Sequence, residues 1–94
     1  MMLELINRRQ RQIMLHSLIY EEYDTNLIDD YVWDTWAKEL VQLMADNPEI
    51  AKQSVYYEDF VDWTGDTAAD LNYRKEEIIS KAEWFIRRYA NGIK

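Results

Sequence analysis

The 94-residue sequence predicts an all-α fold, and three observations support this. Only two glycines and one proline interrupt the chain, which favours long helices. Apolar residues recur at the spacings of a helix face along most of its length. Hydrophobic residues make up 48% of the composition, enough to fill one core, and no stretch has the composition of a linker. We expect one domain over residues 1–94: an N-terminal two-helix hairpin, a short helix and a C-terminal helix.

The first predicted helix covers residues 3–23. Ile6, Ile13 and Tyr20 recur every seven residues, and its second half is apolar nearly all round, which is typical of a helix packed between others. The side chains of residues 24–26 are Asp, Thr and Asn, which compete for backbone donors and favour a turn. The first arm of the hairpin is therefore expected to end there.

The second helix is expected to begin at Asp29 or Asp30, where a carboxylate can accept hydrogen bonds from the first-turn amides. It should stop at Asn47 and Pro48, because proline disfavours helix in the preceding residue. Its apolar stripe has spacings of three and four and consists of Trp33, Trp36, Ala37, Leu40, Leu43 and Met44.

Two helices are predicted in the second half. A short helix over residues 55–63 would end near Gly65 and bring four aromatic side chains to the core: Tyr56, Tyr57, Phe60 and Trp63. The last helix would start at Tyr73 or Lys75 and run to Asn91, with Gly92 as a left-handed terminator.

The charge distribution argues against duplex DNA as a direct partner. The net charge is −7, and residues 21–34 contain six acidic side chains without a basic one. Affinity for duplex phosphates comes from clustered Lys and Arg, which displace counterions. The acidic stretch is either a solvated surface that keeps the protein soluble or a face for a basic protein partner or a cation.

Composition also predicts the compartment. The chain has no cysteine, which excludes disulfides, thiolate metal sites and a cysteine nucleophile and suits a reducing environment. It shows no signal-peptide pattern and no apolar run of about 18 residues, so no membrane association is expected. We therefore expect a soluble, cytoplasmic protein.

Common catalytic signatures are absent. The sequence has no Gly-rich phosphate loop, HExxH motif or nucleophile elbow, and its one histidine is His16. Asp30 and Asp34 could in principle support acid–base or metal-assisted hydrolysis, but they read equally well as a helix cap and a salt-bridge partner. We therefore expect no enzymatic activity.

On the first helix, the side chains of His16, Tyr20 and Tyr23 project on one side and share a surface.

A longer pattern begins on that surface. It comprises His16-x3-Tyr20, then Ile28-Asp-Asp30-x2-Trp33-Asp34, then Glu39-Leu40-x2-Leu43-x4-Pro48-Glu49-Ile50. This arrangement resembles the N-terminal helical domain of NAD-dependent DNA ligases, over about residues 11–50. In that family the domain closes over the nicotinamide mononucleotide half of NAD while a lysine of the neighbouring domain takes the adenylyl group.

The resemblance implies a ligand-facing set of Tyr20, Asp30, Trp33 and Asp34, with His16 on the same surface. Aromatic rings can stack on a cationic nicotinamide ring, and carboxylates can accept from ribose hydroxyls. The sequence departs from the family at Glu21, which replaces an aromatic residue or His and would repel phosphate, and at Trp33, which replaces a tyrosine. It also has no Lys-x-Asp-Gly motif.

The resemblance therefore implies a non-catalytic, ligase-related binding module that requires no cofactor. NAD or nicotinamide mononucleotide is its candidate ligand. Small isolated proteins of this kind are expected in phage or prophage genomes, which would place this one in the host cytoplasm. The alternative is an acidic protein-interaction module that binds or inhibits a phage or host factor and keeps only the hairpin framework.

Each nominated residue also has a structural interpretation. Asp30 can be a helix cap, Trp33 a core residue, and Asp34 a surface residue paired with Lys38 one turn later. For Tyr20, the structural and the ligand-facing roles are equally expected. His16 has the structural alternative of a packed core residue, which is the more common role of a lone histidine in an apolar helix. The location of residues 51–70 decides between ligand and framework, because that segment could fill the Tyr20–Trp33 face.

Overall fold

The computed structural model describes the backbone of residues 1–93 and the side chains of residues 1–89. The predicted all-α class is confirmed: the described part of the chain forms five helices and no strand. In chain order these are α1 (Met2–Tyr23), α2 (Asp30–Asp46), α3 (Pro48–Ala51), α4 (Tyr57–Phe60) and α5 (Glu76–Ile93). None of the described helices is both long and apolar enough to cross a membrane.

Helix α1 is the centre of the fold, packed between α2 and α5. Its sequence explains this position, because apolar side chains occur on more than one face of its second half. The fully buried side chains of α1 are Ile6, Gln10, Ile13, Met14, Leu18 and Ile19. The apolar side chains of this set form one core with buried residues elsewhere in the chain: Ala37, Leu40, Phe60, Leu71, Ile78 and Ala82.

The hairpin turn follows Tyr23, as predicted. Asp24 adopts the left-handed conformation with φ 51°, which Asp tolerates better than most residues with a Cβ. Asp29 then precedes the first residue of α2 in an extended conformation. The predicted carboxylate cap is wrong, because neither the Asp29 nor the Asp30 side chain accepts a first-turn amide. The Asp29 backbone carbonyl accepts from Val32 N and Trp33 N at 2.9 and 3.2 Å.

The segment after α3 is less helical than predicted. Only Tyr57–Phe60 is helical, because the preceding amides are bonded to α1 side chains instead of backbone carbonyls. Val55 N donates to Asn7 Oδ1 at 2.8 Å, and Tyr56 N donates to Gln10 Oε1 at 2.9 Å. Tyr56, Phe60 and Trp63 pack against the core as expected. Tyr57 instead borders a small cavity beside α2.

At Gly65 the chain passes close to α2. Its φ of +86° lies in the left-handed region, and a Cβ at this position would come within 3.1 Å of Val41 Cγ2. Only glycine avoids both problems at once. The chain then passes along the hairpin before α5 begins.

Helix α5 runs antiparallel to α1. Arg74, just before α5, pairs with Glu22 near the end of α1, and Glu77 pairs with Arg11 further back. The helix begins at Glu76, close to the predicted start. It passes through Gly92 to Ile93, so the predicted terminator at Gly92 is wrong.

Candidate ligand-binding site

A cavity of about 320 Å³ lies beside the hairpin. Helix α1, the hairpin loop, the first turns of α2 and a short part of the segment before α5 form its walls. All five residues nominated from the sequence line it: His16, Tyr20, Asp30, Trp33 and Asp34. Tyr23, which was expected on the same side of α1, is not among the lining residues.

Trp33 is fixed in the cavity wall by two contacts. Its indole Nε1 donates to Ser17 Oγ on α1 at 3.3 Å. Its ring forms a T-shaped pair with the ring of Trp63, at a centroid distance of 5.9 Å and an interplanar angle of 89°. Trp33 is half-buried against the core and also lines the cavity, so the structural and the ligand-facing interpretations describe the same side chain.

His16 and Tyr20 line the α1 side of the cavity. Tyr20 is 53% exposed, far more than the neighbouring Ile19, so packing alone does not account for its position. The His16 ring lies 5.7 Å from the Trp36 ring, tilted by 49°. Its Nδ1 atom is buried and has no hydrogen-bond partner among the described residues. Burial lowers the pKa of His16 below its usual value of 6.5, so the imidazole is neutral at neutral pH.

Three carboxylates border the cavity: those of Glu21, Asp30 and Asp34. None of them makes an ion pair within the described part of the chain, and no Lys or Arg is among the lining residues. The predicted pairing of Asp34 with Lys38 is therefore absent. Asp30 and Asp34 thus lack the structural partners that the sequence suggested for them.

Residues 51–70 form part of the cavity without filling it. Trp63 packs against Trp33, and Thr67 and Ala68 form one wall of the cavity. This wall is anchored because Trp63 Nε1 donates to the Thr67 carbonyl at 2.7 Å. The cavity on the Tyr20–Trp33 face is open, which meets the structural condition for a ligand.

Sequence reasoning missed several lining residues: Ser17, Asn26, Leu27, Ile28, Thr67 and Ala68. Ser17 was detectable in principle, since a small polar residue interrupts the apolar run of α1 beside His16. Asn26 belongs to the predicted turn, and Leu27 and Ile28 lie between that turn and the predicted start of the second helix. Thr67 and Ala68 carry no signal, because the segment around them has neither helical nor strand periodicity.

The lining combines flat aromatic surfaces with hydrogen-bond acceptors and negative charge. Such a site can hold a small organic cation that also carries hydrogen-bond donors. No group of three or more His, Cys, Asp or Glu side chains is arranged to hold a metal ion in the part of the chain that the structure describes.

No known protein family, curated protein or solved structure matches this chain. The resemblance to the ligase domain therefore stays a prediction.

Proposed function

We propose that this protein is a non-catalytic binding module whose cavity takes the nicotinamide riboside half of a nicotinamide nucleotide. One observation carries the proposal: five residues nominated from the sequence for that ligand line a single open cavity. They come from two helices, so their meeting depends on how α1 and α2 pack.

The composition of the cavity suits this ligand. The Trp33 and Tyr20 rings can interact with a cationic pyridinium ring. The carboxylates of Asp30 and Asp34 can accept hydrogen bonds from ribose hydroxyls, and neither is engaged in an ion pair with another described residue.

The size of the cavity limits how much of a dinucleotide it can cover. Its volume of about 320 Å³ is at the lower end of the range of about 300–1,000 Å³ for small-molecule sites. A nucleoside fits this space, and the adenylate half of NAD would lie in solvent. Because the uncovered half adds little, we expect modest affinity.

The proposed role is binding without group transfer. The chain carries no Lys-x-Asp-Gly motif, so it offers no lysine nucleophile in the setting that ligases use for adenylylation. A cytoplasmic location fits the cysteine-free composition, and a phage-encoded protein would act in the host cytoplasm.

A thermal-shift titration tests the proposal. Nicotinamide mononucleotide and NAD should raise the melting temperature at millimolar concentration, because a ligand that binds only the folded state stabilises it. AMP, which lacks the nicotinamide ring, should have no effect. Tyr20→Ala and Asp34→Asn should abolish the shift. No shift with either nicotinamide compound, or an equal shift with AMP, would refute the proposal.

A second candidate function is docking of a basic protein on the acidic end of the hairpin. The observation in its favour is that Tyr31, between Asp30 and Val32, is 78% exposed in a region rich in carboxylates. Exposed aromatic residues beside charges are typical of interaction surfaces. A basic host protein retained at low salt, released at high salt and not retained by Tyr31→Ser would support this function.

A further inference from the structure

We propose that the cavity selects its ligand by charge: it prefers a cationic pyridinium nucleoside over both the reduced, uncharged ring and the 5′-phosphorylated form. This inference rests on the proposed function and specifies its ligand class. It predicts that phosphate, a feature of the nucleotides themselves, weakens binding.

The first argument is the sign of the charges around the cavity. Glu21, Asp30 and Asp34 contribute three carboxylates, and no Lys or Arg is among the lining residues. Two arginines outside the lining are engaged with other acids, since Arg74 pairs with Glu22 and Arg9 pairs with Glu39. Lys38 on α2 makes no ion pair among the described residues, but it does not line the cavity. A phosphate at the rim would therefore be repelled without a compensating cation in the lining.

The second argument comes from the aromatic walls. The face of an aromatic ring carries negative electrostatic potential, so it attracts a cationic ring more than a neutral one. Trp33 is held in place by its contacts with Ser17 and Trp63, so its ring has a fixed position in the cavity wall. The neutral His16 ring adds no opposing charge at neutral pH. Walls and rim thus favour the same charge on the ligand.

The dipole of α2 favours anions at the cavity, but its effect is smaller than that of the three carboxylates. The N-terminus of α2 lies at the cavity and attracts anions with about half an elementary charge. Two of its first-turn amides, those of Val32 and Trp33, already donate to the Asp29 carbonyl. Three full negative charges outweigh this half charge, so the net field at the rim favours cations.

Calorimetric titrations at pH 7.5 with three probes test the inference. Nicotinamide riboside carries the cationic ring without phosphate. Its reduced form has nearly the same shape and no ring charge, and nicotinamide mononucleotide adds the phosphate. We expect the riboside to bind about tenfold more tightly than either of the others, since each partly exposed charge interaction is worth up to roughly fivefold. Higher salt should narrow the difference.

Glu21→Gln should reduce the preference for the riboside over the mononucleotide, because Glu21 lines the cavity and is assigned no hydrogen bond to the ligand. Glu83→Gln is the matched control, because Glu83 is exposed on α5, does not line the cavity and changes the net charge by the same amount. It should leave the preference unchanged.

The outcomes separate the two proposals. If none of the three probes binds, the proposed function fails and the charge preference with it. If the mononucleotide or the reduced riboside binds as tightly as the riboside, the nicotinamide site stands and the charge preference is overturned. A control variant that narrows the preference as much as Glu21→Gln would also overturn it, because the effect would then come from overall charge.

Discussion

The indole of Trp33 on α2 donates a hydrogen bond to the hydroxyl of Ser17 on α1 at 3.3 Å. Ser17 is only 3% exposed, so this bond lies inside the hairpin interface. The same tryptophan lines the cavity and forms a T-shaped pair with Trp63. The packing of the hairpin and the shape of the candidate site therefore depend on one side chain.

Trp33→Phe should lower the free energy of unfolding by about 1–3 kcal/mol, because a buried hydroxyl loses its partner. Urea unfolding measures the change. Adding Ser17→Ala should recover part of the loss, since no unpaired hydroxyl then remains. If the double variant is as unstable as the sum of the two single variants, the Trp33–Ser17 bond does not hold the hairpin.

The side chain of Gln10 should hold residues 51–56 in position against α1. It is fully buried, its Nε2 donates to Ser54 Oγ at 2.9 Å, and its Oε1 accepts from Tyr56 N. Gln10→Leu should cost about 2 kcal/mol, because buried polar groups lose their partners. Hydrogen exchange should show faster exchange at Tyr56 N. In contrast, Gln12→Leu should leave that amide protected, because Gln12 lies two residues further along α1 and accepts from Arg9 instead.

Gly65→Ala should destabilise the fold by about 1–2 kcal/mol through the cost of a positive φ for a residue with a Cβ. It also brings a methyl group within 3.1 Å of Val41 Cγ2. Val41→Ala in the same chain relieves the contact but not the backbone cost, so it should recover only part of the loss in urea unfolding. Unchanged stability in Gly65→Ala would show that the left-handed turn is not required.

His16 should make stability depend on pH in the weakly acidic range. Burial lowers the pKa of His16 in the folded state, whereas in the unfolded chain it is near 6.5. The unfolded state therefore binds more protons just below pH 6.5, and its population increases there. The stabilisation is complete above that pH and is lost as the pH falls through the folded-state pKa.

The comparison is urea unfolding of wild type and His16→Gln between pH 8 and pH 5.5. His16 is the one histidine of the chain, so the variant should show a flatter profile. A wild-type profile as flat as that of the variant would mean that His16 is protonated as easily in the folded protein as in the unfolded chain.

The hairpin was predictable because its signals are local. The seven-residue recurrence of Ile6, Ile13 and Tyr20 and the turn residues at 24–26 depend only on neighbouring sequence. That Tyr20 and Trp33 lie at one cavity was implied by the resemblance to the ligase domain, because periodicity alone placed Trp33 only in the apolar stripe of α2.

Residues 52–75 were not predictable in the same way. Their amides at Val55 and Tyr56 bond to Asn7 and Gln10, which are more than 40 residues away in the chain. No local pattern encodes such bonds, and they account for the start of α4 at Tyr57 rather than Val55. The roles suggested for Asp30 and Asp34 failed for a related reason. Residue spacing allowed a cap and an ion pair, but the backbone carbonyl of Asp29 satisfies the helix start instead.

The most direct test of the site is the indole N–H region of a two-dimensional NMR spectrum. The chain has four tryptophans, so four indole signals are expected, and Trp33→Phe identifies the signal of Trp33. Titration with nicotinamide riboside should shift the Trp33 signal in a saturable manner, while that of Trp84 on α5 stays in place. No shift at Trp33, or equal small shifts at Trp33 and Trp84, would contradict a nicotinamide site in the hairpin cavity.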